Sequence, residues 1–272
     1  MFSTKRKQCV FCSTPITNAN ASREDTVPKW LQVELGIASE NVEPTLTTPT
    51  GEQLAQRIHP VAQLRTGGVC RKCNNGWMSQ LENAVQPILR PVMKSERSLK
   101  SLTKAERHVV ARWAAKTAYM LDQGGLEPRV ALAHVEALYA NAPHLPEGVF
   151  VFSRQQIRTR PWYYIVGAWW KHGQLTGDAQ EKVEKSSYKI ALQFGDLILI
   201  VVFWPLKRWG YRTGRNELFL LWPRTAVVKE YDHPDPPNIS ESDAACRRYS
   251  ITISVVPHHG SQGFIPGLRA TV

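Results

Sequence analysis

Two short cysteine pairs, Cys9-Val10-Phe11-Cys12 and Cys70-Arg71-Lys72-Cys73, constrain this chain more than any other feature of it. In a CxxC knuckle the backbone turns both sulfurs toward one point. Two knuckles make a set of four thiolates that satisfies Zn²⁺ tetrahedrally and leaves no open position. The spacing predicts a structural zinc on Cys9, Cys12, Cys70 and Cys73, with residues 13–69 as an inserted structure pinned at both ends, since they are too many for a simple ribbon. A redox CxxC is the competing use of such a pair; two pairs in one chain, with Cys246 standing alone, favour the metal.

The rest of the composition narrows the classes. The longest apolar run, Leu197 to Trp204, stops at Pro205 and is less than half of the roughly 20 residues a membrane helix needs. Met1 to Gln8 is basic but runs into Cys9 instead of an apolar stretch, so no secretory signal is expected. The expected location is cytoplasmic, where thiols stay reduced. At 43% hydrophobic and 21% charged, 272 residues can bury a substantial core, which excludes disordered, collagenous and disulfide-scaffold classes. A net charge of +11 and a pI near 9.6 point toward a polyanionic partner, although the basic excess is spread over both halves.

Residues 1–95 hold four of the five cysteines and read as a metal-organised module. A first helix follows the second knuckle, with Trp77, Leu81, Val85, Ile88 and Leu89 at spacings of three and four until Pro91 interrupts it. Residues 96–146 form a helical segment. Thr103-Lys104-Ala105-Glu106 is a capping box, Val109, Val110, Trp113, Ala114, Met120 and Leu121 mark one apolar face, and Gly124-Gly125 stops the helix. A third helix is expected over 128–141, with Val130, Leu132, Val135, Leu138 and Tyr139 buried. Residues 147–272 turn to short apolar or alternating runs around Val149, Trp162, Tyr188, Leu197, Leu218 and Tyr249, an antiparallel sheet with a partly irregular tail. The expected fold class is α+β.

Two segments carry a further pattern. Glu24-Asp25-Thr26-Val27-Pro28-Lys29-Trp30-Leu31 follows the first knuckle, and Asn74-Asn75-Gly76-Trp77-Met78-Ser79-Gln80-Leu81-Glu82 continues the second. Over roughly residues 9–82 this arrangement resembles the zinc-bound HNH nucleases of the ββα-metal superfamily, particularly the recombination endonuclease VII-like branch. Cys9, Cys12, Cys70, Cys73, Glu24, Pro28, Trp30, Leu31, Asn74, Gly76, Trp77, Leu81 and Glu82 fit its pattern. The resemblance implies an N-terminal zinc-stapled ββα-metal module in which Glu24 and Asn74 hold a catalytic Mg²⁺ or Mn²⁺. Asp25 stands where the family has its general-base His. A carboxylate, with an ordinary pKa near 3.9, is a far weaker base than an imidazole. His59 lies inside the insert and is the alternative candidate base.

The activity implied is metal-dependent hydrolysis of DNA phosphodiester bonds, with RNA as the other polyanion of the same chemistry. The alternative is a nuclease-derived module that lacks catalysis and binds nucleic acid or protein. Arg71 and Lys72, together with Lys5, Arg6 and Lys7, are the candidate phosphate contacts, followed by Lys94, Arg97, Lys100 and Lys104. Glu24 and Asp25 also admit a plainer reading as an acidic pair capping the helix after Pro28, and Asn74 as a cap of its own helix.

Overall fold

A computed structural model describes residues 8–47, 53–55, 58–124, 128–140, 144–155, 162–167, 177–203, 205, 219–223 and 250–255. Lys5, Arg6, Lys7, Cys246, Trp169, Trp170 and Trp204 lie outside them. The chain is a mixed α+β structure. None of the described helices is long and apolar enough to cross a membrane.

The first strand, β1 (Ala21–Asp25), leads into the short helix α1 (Lys29–Glu34). The insert then supplies β2 (Asn41–Thr47), β3 (Gln53–Ala55) and β4 (His59–Pro60) before β5 (Arg65–Cys70) returns antiparallel to β1. Directly after Cys70 the chain turns helical: α2 (Arg71–Cys73), a widened turn over Asn74–Met78, and α3 (Ser79–Met93). Gly76 leaves helical geometry within that turn, at φ −93° and ψ −111°, where a residue without Cβ is best tolerated.

Pro91 does not end α3, contrary to the sequence expectation. The helix runs on through Pro87 and Pro91 to Met93, because Val92 and Met93 continue the buried stripe of Leu81, Val85, Ile88 and Leu89. Groups of the sheet also donate to the open carbonyls at its end. Gln155 Nε2 donates to Val92 O at 2.9 Å, and Asp196 N donates to Met93 O at 3.0 Å.

The central helix α4 (Lys104–Gln123) begins at the expected capping box, with Thr103 Oγ1 accepting from Glu106 N and Glu106 Oε2 accepting from Thr103 N. Its predicted single apolar face is too modest. Apart from Arg112, every residue from Val110 to Gln123 is buried, so the second half of α4 is enclosed all round. Ala111, Ala114, Ala115 and Ala118 let neighbours approach closely. On one side lie α3 and β5; on another lie the sheet strands β6 (Val149–Gln155), β8 (Tyr188–Phe194), β9 (Leu197–Phe203) and β10 (Phe219–Trp222).

After α4 the Asp122 carboxylate accepts from Arg129 N and Val130 N, holding residues 128–131 out of helix, so α5 (Leu132–Ala140) starts later than the sequence suggests. Val135 and Leu138 of α5 are buried as expected, whereas Leu132 is exposed. The remaining elements are β7 (Trp162–Gly167), a helix inside the β-rich region, α6 (Gly177–Ser186), and β11 (Ser250–Val255).

All pairings are antiparallel, and the large sheet runs β10-β6-β9-β8-β7-β11-β2-β3, with β4 also on β2. The insert between the cysteine pairs is thus hydrogen-bonded into the sheet through β11 and β2. On β8 the residues Tyr188, Ile190, Leu192 and Phe194 belong to the core shared with α4: Tyr119 and Tyr188 hydroxyls meet at 2.8 Å, and the Trp113 and Phe194 rings lie 5.5 Å apart.

The β8–β9 turn is where sheet and α3 lock together. Gly195 sits at φ +57°, and a Cβ built there would lie 2.9 Å from Met93 O. Gly195→Ala combines a left-handed backbone with a clash against main chain, and is expected to destabilise the fold by about 1–3 kcal/mol. Urea unfolding of the two proteins, compared at constant m, measures it.

Candidate metal and acidic site

The four cysteines of the two knuckles come together. Their sulfurs all lie within 4.8 Å of one another, close enough to hold a metal ion, and Cys12 Sγ is 3.6 Å from Cys70 Sγ. Four sulfurs at about 2.3 Å from a tetrahedral ion stand about 3.8 Å apart, and the Cys12–Cys70 separation is near that value. The thiols are free, and Cys9, Cys70 and Cys73 are buried. Local structure explains the convergence. Ala21 pairs with Cys70 at the end of the β1–β5 ladder, Val10 N donates to Gly68 O at 2.9 Å, and α2 returns Cys73 beneath the first knuckle.

Hydrogen bonding from Cys73 pushes the Cys9 thiol down to about 4, while donating to Cys9, together with burial, holds the Cys73 thiol up. Burial also raises Cys70.

The acidic pair is split. Glu24 and Asp25 are neighbours on β1, preceded by a bulge between Ser22 and Glu24, and their side chains go to different partners. Asp25 faces Arg65 directly across the ladder, and Arg65 Nε donates to its Oδ1 at 3.0 Å. Glu24 is buried and accepts from Lys116 Nζ of α4 through Oε1 at 2.9 Å. The same ammonium reaches Glu82 Oε1 of α3 at 2.5 Å, and Trp30 Nε1 of α1 donates to Glu82 Oε2 at 2.5 Å. Lys116 is 1% exposed. Burial alone would depress its pKa, but Glu82 and Glu24 override that and raise it.

Asn74 lies at the head of the widened turn and is fastened to β1 beside Glu24. Its Nδ2 donates to Ser22 Oγ at 2.6 Å and faces Arg23 O at 3.4 Å. A carbonyl only accepts, so the amide nitrogen is on that side, and Oδ1 points elsewhere with no partner among the described residues. Asn74 is therefore no simple helix cap, and α1 starts at Pro28 without a side-chain cap from Asp25. His59 lies in β4 against Val42 of β2.

Arg71 and Lys72 are exposed on α2, between the metal-cluster cysteines. Lys94 and Arg97, expected as phosphate contacts, are engaged within the protein instead. Lys94 Nζ lies 2.6 Å from Glu34 Oε1, and Arg97 makes a two-pronged pair with Glu106 at 2.7 and 2.9 Å. Trp77 packs between the knuckle and the helices as expected, 4.9 Å from the Phe11 ring and 5.9 Å from Tyr139.

Sequence reasoning passed over Lys116 and Arg65 and gave Glu82 no role. Lys116 had a signal: it lies three residues after Trp113 and four before Met120, on the apolar stripe, where a charge must find a buried partner. Arg65 had none, since its partner depends on the β1–β5 register. No family model, curated protein or solved structure matches the chain.

The purified chain is expected to carry one metal ion, measured by elemental analysis; Cys9→Ser or Cys73→Ser should abolish it. Because the ligands bind as thiolates, chelator should strip the ion faster as pH falls from 8 to 6. Lys116→Met, which leaves buried Glu24 and half-buried Glu82 without their cation, should cost about 3–5 kcal/mol of stability by denaturant unfolding, and an unchanged midpoint would refute the buried pairing.

Proposed function

We propose that the chain is a metal-dependent nuclease of the HNH type that hydrolyses DNA phosphodiester bonds, with Zn²⁺ on Cys9, Cys12, Cys70 and Cys73 as its structural brace. One observation carries this reading: Asn74, at the head of the helix after the second knuckle, is bonded through Nδ2 to β1 beside Glu24. That leaves Asn74 Oδ1 and Glu24 Oε2, both without partners among the described residues, as oxygen donors on adjoining elements. Such a donor pair suits Mg²⁺ or Mn²⁺, which keep waters and take phosphate oxygens in their other positions.

Glu24 and Asn74 would hold that ion, which supplies Lewis-acid stabilisation of the charge that develops on phosphate and leaving oxygen. The protein's own groups do the rest. Arg71 and Lys72 position the backbone through its phosphates. Asp25 takes the proton of the attacking water once Arg65, 3.0 Å away, turns to a DNA phosphate and releases the carboxylate. Until then the guanidinium occupies Asp25 Oδ1.

The same ion pair favours a second reading. With Asp25 engaged by Arg65, the module would bind DNA without cutting it. Supercoiled plasmid with Mg²⁺ or Mn²⁺ separates the two. Nicking by the unaltered protein, lost by more than about 100-fold in Asn74→Ala, is the expected result, since electrostatic groups of this kind contribute on that scale. A silent protein that shifts DNA in a salt-dependent way, and that cuts once Asp25→His is introduced, establishes the binding module. If neither protein cuts or binds, both readings fall.

A further inference from the structure

We infer that Lys116 is a positioning residue for Glu24: it grips one carboxylate oxygen and leaves the other as the single oxygen open to a cation. This rests on the reading of Glu24 as a cation ligand. Four observations lead to it. Lys116 is 1% exposed and spans from the core of α4 to β1, donating to Glu24 Oε1 at 2.9 Å. Glu24 Oε2 has no partner among the described residues. The second carboxylate in reach, Glu82, has both oxygens occupied, Oε1 by Lys116 and Oε2 by Trp30 Nε1, so it cannot swing to the ion. Finally, Glu24, Glu82 and Lys116 together carry one negative charge, and Asp25 is matched by Arg65.

A brace between β1 and α4 needs one carboxylate and one ammonium. The second carboxylate, half-buried Glu82, is surplus to that purpose and costly unless it does something else. Here it restores a negative charge that the ammonium would otherwise cancel. Ligating carboxylates are commonly held by such outer partners, whose loss weakens metal affinity about 10–100-fold. One open carboxylate oxygen beside Asn74 Oδ1, with one unit of charge, suits a weakly held divalent ion that completes its shell with a phosphate.

The test must separate orientation from charge. Lys116→Met combined with Glu82→Gln keeps the cluster at one negative charge and removes only the grip on Glu24. Mn²⁺ binding to zinc-loaded, DNA-free protein is measured by the electron paramagnetic resonance of free Mn²⁺. The double variant is expected to bind at least about tenfold more weakly, with zinc content and far-ultraviolet dichroism unchanged. Equal affinity would make Lys116 a brace alone and overturn the inference. If the unaltered chain binds no Mn²⁺, Glu24 is not a cation ligand, and the role of Lys116 goes with it. Should the double variant not fold, a Mn²⁺-soaked crystal of the unaltered protein decides: anomalous density at Oε2 with Lys116 still on Oε1 supports the grip, and density that displaces the ammonium refutes it.

Discussion

A single ammonium buried between two carboxylates ties this structure together. Lys116 of α4 holds Glu24 of β1 and Glu82 of α3, and Trp30 of α1 closes the chain on Glu82. Four elements from distant parts of the sequence meet at one charge. The charged hydrogen bonds are directional, unlike apolar packing, and tolerate no substitute that lacks the charge. Apolar burial brings α4 into the core; the ammonium fixes where along its length β1 and α3 must sit. The position of Glu24 is therefore set from the middle of the molecule and not from the surface hairpin alone.

The four cysteines act at the other end of the same hairpin. Cys70 closes β5, and the ladder from Ala21–Cys70 to Asp25–Arg65 runs from the metal cluster to the acidic pair. Each end of this short ladder gathers a different chemistry, four free cysteines at one and ion pairs at the other. The insert between the knuckles is likewise no free loop, since its strands β2, β3 and β4 continue the large sheet beyond β11. The Gly195-Asp196 turn, docked on Met93 and Ser95 at the end of α3, adds a third connection between sheet and helices.

Much of this was legible from local chemistry. The knuckles, the Thr103 capping box, the helix after Asn74 and the strand runs at Val149, Tyr188 and Leu197 depend on residues near one another in sequence, and they form where expected. The misses share a physical cause. Pro91 breaks a helix by local rules, but burial of Val92 and Met93 and the bond from Gln155 outweigh the lost backbone bond. Lys116 was passed over because its two partners lie far away in sequence. The pairing of β2 with β11 joins the insert to the far end of the chain, and no pattern in either strand names its partner.

The splitting of Glu24 from Asp25 bears most directly on chemistry. Adjacent residues on a strand face opposite ways, so a sequence motif that places two acids side by side puts them in two environments. Glu24 is buried, matched by an ammonium and unable to reach solvent freely. Asp25 is nearer the surface, matched by a guanidinium that a phosphate could draw away. An acid held rigid is suited to keeping a cation in place, and an acid whose partner can leave is suited to gaining or losing a proton. The fold thus gives two neighbouring carboxylates different surroundings, and it does so through the partners that α4 and β5 bring to them.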